Sequence, residues 1–124
     1  MTVDEQLEKF FSSESFAVSG ASTNREKYGN KVLRCYMQHK KGVIPVNPRA
    51  DSIEGLKTVK ALSDLPPSVK SISIITPPKI TEMLVDEAIE HGIENIIGYT
   101  KISDLNKIIH LVSVLFKRNH IFFQ

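Results

Sequence analysis

The sequence predicts an α/β fold of three layers, in which a mostly parallel sheet of about five strands carries helices on both faces. Three observations support this. Short apolar runs recur at residues 16–19, 43–46, 71–76 and 93–97. Their starts lie about 22 to 28 residues apart, which suits a strand, a crossover and a return, whereas hairpins would place them much closer. The first run stops abruptly at Gly20 and passes into Ala21-Ser22-Thr23-Asn24, small residues leading into a helix-patterned stretch.

The elements follow in order. Thr2 and Glu5 stand at capping-box spacing ahead of Leu7, Phe10 and Phe11, so a short N-terminal helix covers the sheet. Val32, Leu33, Tyr36 and Met37 repeat at i, i+1, i+4, i+5, which predicts a helix between the first two strands that ends before Gly42. From Pro48 to Val69 the pattern is irregular, and a short helix over 59–65 ends at Pro66-Pro67. After the third strand, Ile80, Met83, Leu84 and Ala88 make the apolar face of a helix with Pro77 and Pro78 near its start and Gly92 as its stop. Ser103 caps a final helix with a stripe of Leu105, Ile108, Ile109, Val112, Leu115 and Phe116, and 121–123 return as the last strand. No linker, repeat or low-complexity run interrupts the chain, so residues 1–124 are expected to form a single domain.

Composition excludes several classes. Apolar residues make up 41% of the chain and charged residues 24%, ordinary for a globular protein and unlike a disordered or coiled-coil one. The net charge is only +2, and Lys and Arg are scattered rather than gathered in a strip with aromatics, so nucleic acid is not an expected partner. One cysteine excludes an internal disulfide, and His39, His91, His110 and His120 stand at no metal-ligand spacing with it, so no metal site is expected. The start Met1-Thr2-Val3-Asp4-Glu5 lacks the basic and apolar regions of an export signal. No apolar run approaches the roughly 20 residues of a membrane helix. A cytoplasmic protein without membrane contact is the expectation.

Ligands of parallel sheets bind beyond the carboxyl ends of the strands, so the residues just after each strand are the informative ones. Gly20 has no Cβ and lets the backbone approach a phosphate, while Ala21, Ser22 and Thr23 offer amide groups at a helix N-terminus. The next glycine is Gly29, so the three-glycine dinucleotide fingerprint is missing. Asn47-Pro48-Arg49 follow the second strand and Thr76-Pro77-Pro78 the third. Proline fixes φ at about −65° and removes a donor, which makes stiff loop walls for a flat or extended ligand. Arg49, with Lys27 or Lys31, supplies cations suited to phosphate.

Val18-Ser19-Gly20-Ala21-Ser22, Lys27-Tyr28-Gly29, Val43-Ile44-Pro45-Val46-Asn47-Pro48-Arg49 and Leu62-Ser63-Asp64-Leu65-Pro66 together resemble the stand-alone coenzyme A-binding proteins, which are similar to the nucleotide-binding domain of the succinyl-CoA synthetase α subunit. The resemblance runs from Glu14 to Asn95 and implies a Rossmann-like fold. It implies further that Gly20, Ala21, Ser22 and Thr23 line the pyrophosphate of coenzyme A. Asn47, Pro48 and Arg49 would then face the adenosine end, with Arg49 near the ribose phosphate, and Thr76 and Pro77 would border the pantetheine arm. Lys27 and Tyr28 would close over the ligand. The tail departs from the family pattern: Ile96-Ile97-Gly98-Tyr99-Thr100 replaces a Trp-x-Gln-x-Gly type of segment, and the terminal strand bears no cysteine.

No catalytic residue is expected. Ser19 and Ser22 form no Gly-x-Ser-x-Gly elbow. Cys35 reads as a small hydrophobe on the first crossover helix, and His91 as a cation at a helix C-terminus. The function expected from these readings is non-catalytic binding of coenzyme A or an acyl-CoA at the carboxyl edge of the sheet. In the synthetase a second domain brings the phosphorylated histidine. Two other readings stay open: a small NADP-dependent oxidoreductase, since a ribose phosphate is common to both ligands, and a regulatory or interaction subunit with a vestigial pocket. The apolar end of the chain offers a surface for a second copy or a partner subunit. A branched side chain at Gly20, as in Gly20→Val, is expected to abolish binding with little loss of fold.

Overall fold

The computed structural model describes residues 2–98, and the final helix from Ser103 and the strand over 121–123 lie outside the described residues. Helix α1 (Val3–Phe11) leads into strand β1 (Ser15–Ser19), followed by α2 (Tyr28–Gln38) and β2 (Val43–Val46). A small hairpin of β3 (Ser52–Ile53) and β4 (Leu56–Lys57) comes next, then a single 3₁₀ turn over Leu62–Asp64, β5 (Val69–Ile74), α3 (Pro78–Glu90) and β6 (Asn95–Gly98). The main sheet has four described strands in the order β2-β1-β5-β6, every neighbouring pair parallel. The fold class read from strand spacing is therefore the observed one, and β1 lies between β2, which the crossover through α2 reaches, and β5, to which the chain returns from β2 across β1.

Each face of the sheet is built by alternate residues of the strands. One face carries Phe16, Val18 and Val43, which pack with Val32, Leu33, Cys35 and Tyr36 of α2 and with Phe10 and Phe11 of α1. The aromatic side chains meet edge to face or tilted, with ring centroids 4.9 Å apart for Phe10 and Phe11 and 5.0 Å apart for Phe16 and Tyr36. The opposite face carries Ala17, Val46, Ile72 and Ile74 against Leu62, Leu65 and Ala88. Strand β5 is polar on the first face, where Ser71 and Ser73 are fully buried. Their hydroxyls have partners: Ser71 donates to the Phe10 carbonyl at 2.6 Å, and Ser73 bonds the Tyr36 hydroxyl at 2.9 Å. These two bonds fasten both helices to the central strand, as burial of a polar group requires.

Several expectations shift. The run expected over 71–76 is a strand two residues earlier, and the run over 93–97 starts its strand at Asn95, because pairing to β5 and not hydropathy sets the ends. Ile80 and Met83 do not face the sheet: they are 47% and 63% exposed, and α3 packs through Leu84, Val85 and Ala88 instead. The irregular segment holds the β3–β4 hairpin, whose two-residue loop Glu54-Gly55 has φ of +50° and +81°, the geometry of a type I′ turn. Only one turn of 3₁₀ helix forms where a helix over 59–65 was expected. Helix α2 ends before Gly42 as expected, but its stop is Lys40 at φ +56°: the amides of Lys40 and Lys41 return to the carbonyls of Met37 and Tyr36.

Two glycines hold the fold at the carboxyl edge. Gly20 sits at φ +84°, and a Cβ there would lie 2.0 Å from the Ile75 carbonyl oxygen. A Cβ on Gly29 would lie 2.0 Å from the Gly20 carbonyl oxygen. Gly20→Val therefore costs stability as well as any site, which corrects the expectation of an intact fold. Both Gly20→Val and Gly29→Ala are expected to destabilise the protein by about 3 kcal/mol or more. Urea unfolding at unchanged slope measures this, and a midpoint equal to that of the wild type would contradict the packing described here.

Candidate functional site

The crossover after β1 runs through α2 to β2 on one side, and the crossover after β5 runs through α3 to β6 on the other. The carboxyl ends of β1 and β5 are thus adjacent strand ends whose connections diverge, the place where open parallel sheets bind ligands. The backbones touch there. The Ile75 amide donates to the Ser19 carbonyl at 2.9 Å, and Gly20 lies directly against Ile75 and the Thr76 methyl group. Beyond Gly20 the amides of Ala21, Ser22 and Thr23 have no hydrogen-bond acceptor among the described residues, nor do those of Tyr28 and Gly29 in the first turn of α2. Helix α2 starts at Lys27 without a side-chain cap. Five amide donors next to an uncapped helix N-terminus are what an anionic group requires.

The loop that carries these amides is held from behind. Asn30, fully buried on α2, donates through its amide nitrogen to the Ser22 carbonyl at 2.9 Å and to a Glu54 carboxylate oxygen at 3.2 Å. Its own oxygen accepts from Arg34 Nε at 2.7 Å, and Arg34 also reaches the Arg25 carbonyl at 3.0 Å. Arg25 faces Glu54 at 3.5 Å. The hairpin turn, the first loop and α2 are one polar network. Asn47 performs the same service for the next loop: its amide nitrogen donates to the Ala21 carbonyl at 2.9 Å, and its oxygen accepts from the amides of Arg49 and Ala50 at 2.8 and 2.9 Å. Thr76 is tied to α3 through the Thr81 hydroxyl at 2.7 Å.

The structure brings Gly20, Ala21, Asn47 and Thr76 together at one edge. Ser22 is half-buried, its hydroxyl accepting from the Asn24 amide at 3.1 Å. Thr23, Pro48, Arg49 and Pro77 are exposed at the ends of the same loops. Arg49 and Lys27 have side chains without a hydrogen bond or ion pair among the described residues, so both cations are available. Tyr28 is half-buried with Lys31 Nζ 4.9 Å above its ring, a pairing that draws Lys31 toward the start of α2. Cys35 is buried in the core, and His91 caps α3 while its Nε2 donates to the Leu65 carbonyl at 2.8 Å. Among the described residues no group of three His, Cys, Asp or Glu side chains is placed to hold a metal ion, and no helix is long and apolar enough to cross a membrane.

Sequence reasoning missed Asn30, Glu54 and Lys60, which touch the loops from outside the motif. The dipeptide Glu54-Gly55 was the available signal for the hairpin, since a glycine after a polar residue suits a two-residue turn. Nothing local marks Asn30, an ordinary helix residue until its fold partners are known. Asn30→Asp removes the donors to Ser22 and Glu54 and sets two carboxylates face to face. It is expected to lower stability by about 2 kcal/mol or more, and an unchanged urea midpoint would contradict the network.

Comparison with known proteins agrees with this architecture. The description of a CoA binding domain matches residues 14–118. The α subunit of acetate–CoA ligase (ADP-forming) II from Pyrococcus furiosus is 30% identical over 95 residues, which are 76% of this chain and 21% of that protein. An ADP-forming acetate–CoA ligase from Methanocaldococcus jannaschii is 24% identical over 78% of this chain and 14% of its own length. The chain thus spans about a fifth or less of these curated relatives. Among solved structures, a conserved hypothetical protein from Pyrococcus furiosus superimposes with a TM-score of 0.67 at 32% identity, covering 80% of this chain and 87% of that one. The dinucleotide-forming acetyl-coenzyme A synthetase 1 of Candidatus Korarchaeum cryptofilum gives 0.71 at 26% identity over 89% of this chain and 26% of its own. The matched span takes in the four described strands of the main sheet and the loops that follow β1, β2 and β5 at its carboxyl edge, and this chain belongs to the family of CoA-binding domains.

Proposed function

We propose that this protein binds coenzyme A or an acyl-CoA reversibly at the carboxyl edge of its sheet, with no bond-making chemistry of its own. One observation carries the reading: acceptor-free amides at residues 21–23 and at the start of α2 lie beside the contact of β1 with β5, where the two crossovers diverge. A pyrophosphate satisfies such amides and gains from the helix dipole. Arg49, exposed on the loop that Asn47 ties to Ala21, meets the ribose phosphate with its forked donors. Thr76 and Pro77, at the exit of β5, border the pantetheine arm, and Lys27 and Tyr28 close over the phosphates from α2.

A carrier or sensor fits the side-chain chemistry better than an enzyme does. The Ser22 hydroxyl accepts from the Asn24 amide, the Thr76 hydroxyl bonds that of Thr81, and no histidine pairs with either among the described residues. In the ligases that contain a similar domain, this portion is a small share of the whole. The thioester or acyl-phosphate chemistry would come from a partner subunit. Such a partner has a candidate contact in Ile80 and Met83, exposed on α3 close to the edge.

Thermal unfolding with coenzyme A, dephospho-coenzyme A, acetyl-CoA, NAD and NADP tests the reading, because a ligand that binds only the folded state adds RT ln(1 + [L]/Kd) to stability. A rise in Tm with coenzyme A and acetyl-CoA is expected. A rise with NADP alone would assign the edge to an oxidoreductase, and no response to any of them would leave an interaction subunit with a vestigial pocket. Arg49→Ala is expected to weaken coenzyme A about tenfold while sparing dephospho-coenzyme A. Equal losses for both would remove Arg49 from the ribose phosphate.

A further inference from the structure

We infer that Lys60 is a positioning residue that sets the selectivity of this edge for a ribose-phosphorylated nucleotide, acting through the backbone that presents Arg49. The inference rests on the coenzyme A reading above.

Lys60 follows Val59, which is anchored beside the end of β2. Val59 bridges Val46 in parallel, its amide donates to the Pro45 carbonyl at 3.1 Å, and its carbonyl accepts from the Asn47 amide at 3.0 Å. From that fixed root the lysine side chain reaches back over the loop after β2. Its ammonium lies 3.3 Å from the Arg49 carbonyl, 3.0 Å from the Ala50 carbonyl and 3.0 Å from Asp51 Oδ1. An ammonium has three N–H donors and no acceptor. All three have acceptors on the loop, so Lys60 serves as a clamp and not as a free cation for phosphate.

The clamp completes a pattern that singles out one residue. The Arg49 amide is held by Asn47 Oδ1 at 2.8 Å and its carbonyl by Lys60, so both of its peptide groups are fixed. Thr58 adds a hydroxyl bond to the Ala50 carbonyl. Only the guanidinium of Arg49 is left without a partner among the described residues. Fixing a backbone while leaving its charged side chain free lowers the entropy lost when that side chain closes on an anion. The clamp itself adds little stability, because Lys60 is 48% exposed and Asp51 98% exposed, and an ion pair so open to water is heavily screened.

Titration calorimetry of coenzyme A and dephospho-coenzyme A into the wild type, Lys60→Met, Arg49→Ala and the double variant tests this. Lys60→Met is expected to weaken coenzyme A about fivefold to tenfold, to change dephospho-coenzyme A less than about twofold, and to leave Tm nearly unchanged. The double variant is expected to bind coenzyme A no more weakly than Arg49→Ala alone, since a residue that acts through Arg49 has no effect once Arg49 is gone. Should Lys60→Met fail to fold, Lys60→Gln, which also loses the charge and the reach, carries the same expectation. Equal losses for the two ligands would make Lys60 merely structural and overturn the inference. Additive losses in the double variant would make it a direct phosphate contact and overturn it as well. A wild type that binds neither ligand would overturn the coenzyme A reading itself, a result separable from either of these.

Discussion

The approach of two strand exits at Gly20 is the constraint on which the rest of the molecule depends. With the Ile75 carbonyl where a Cβ would stand and the Gly20 carbonyl in the same relation to Gly29, β1, β5 and the start of α2 are locked at backbone distance. Side chains cannot mediate so close a contact. It places the first turn of α2 directly over the end of the central strand pair, which is why the uncapped amides of that turn and those of residues 21–23 belong to one patch. The missing three-glycine fingerprint is thereby explained in physical terms. Gly20 and Gly29 make the tight turn and the close helix–strand packing that such fingerprints supply, with a longer loop between them.

Around that contact most polar side chains of the edge bond to the protein's own backbone. Asn30 holds the Ser22 carbonyl, Asn47 the Ala21 carbonyl and Lys60 the carbonyls of Arg49 and Ala50. Each bond satisfies a loop carbonyl from the protein's own side chains. The edge is left with amide donors and the cations Lys27 and Arg49, a surface with an excess of positive partial charge, as the proposed binding of a phosphorylated ligand requires. Rigidity of this kind lowers the ordering cost of binding, in keeping with the reversible binding proposed above. It also suits membership of a family whose relatives include ligases several times the length of this chain.

The site was partly legible because its primary constraints are local. Gly20, the small residues after it and the Asn47-Pro48-Arg49 run announce strand exits by residue type alone, since turns and close backbone approach demand glycine, proline and small polar side chains. The helices were legible from their period, yet α3 showed the limit of that signal: Ile80 and Met83 match the helical spacing and still face outward. Amphipathic period names a stripe, and which flank of the stripe the sheet covers depends on where neighbouring elements lie. Lys40 likewise stops α2 in a backbone region where glycine was the expected signal, because the return bonds to Met37 and Tyr36 outweigh a modest conformational cost.

Strand spacing, punctuation by glycine and proline, and the residues at the strand exits were determined by the sequence by itself, for these follow from local sterics and from the period at which side chains change face. The edge that joins them was decided only by tertiary structure. Asn30 and Glu54 are 24 residues apart, and Lys60 lies 11 residues beyond Arg49, so neither pairing leaves a mark in a local pattern. Their roles come from hydrogen bonds whose partners are backbone atoms, and any sequence can supply a carbonyl. Only the folded path of the chain says which carbonyl stands within reach of which side chain.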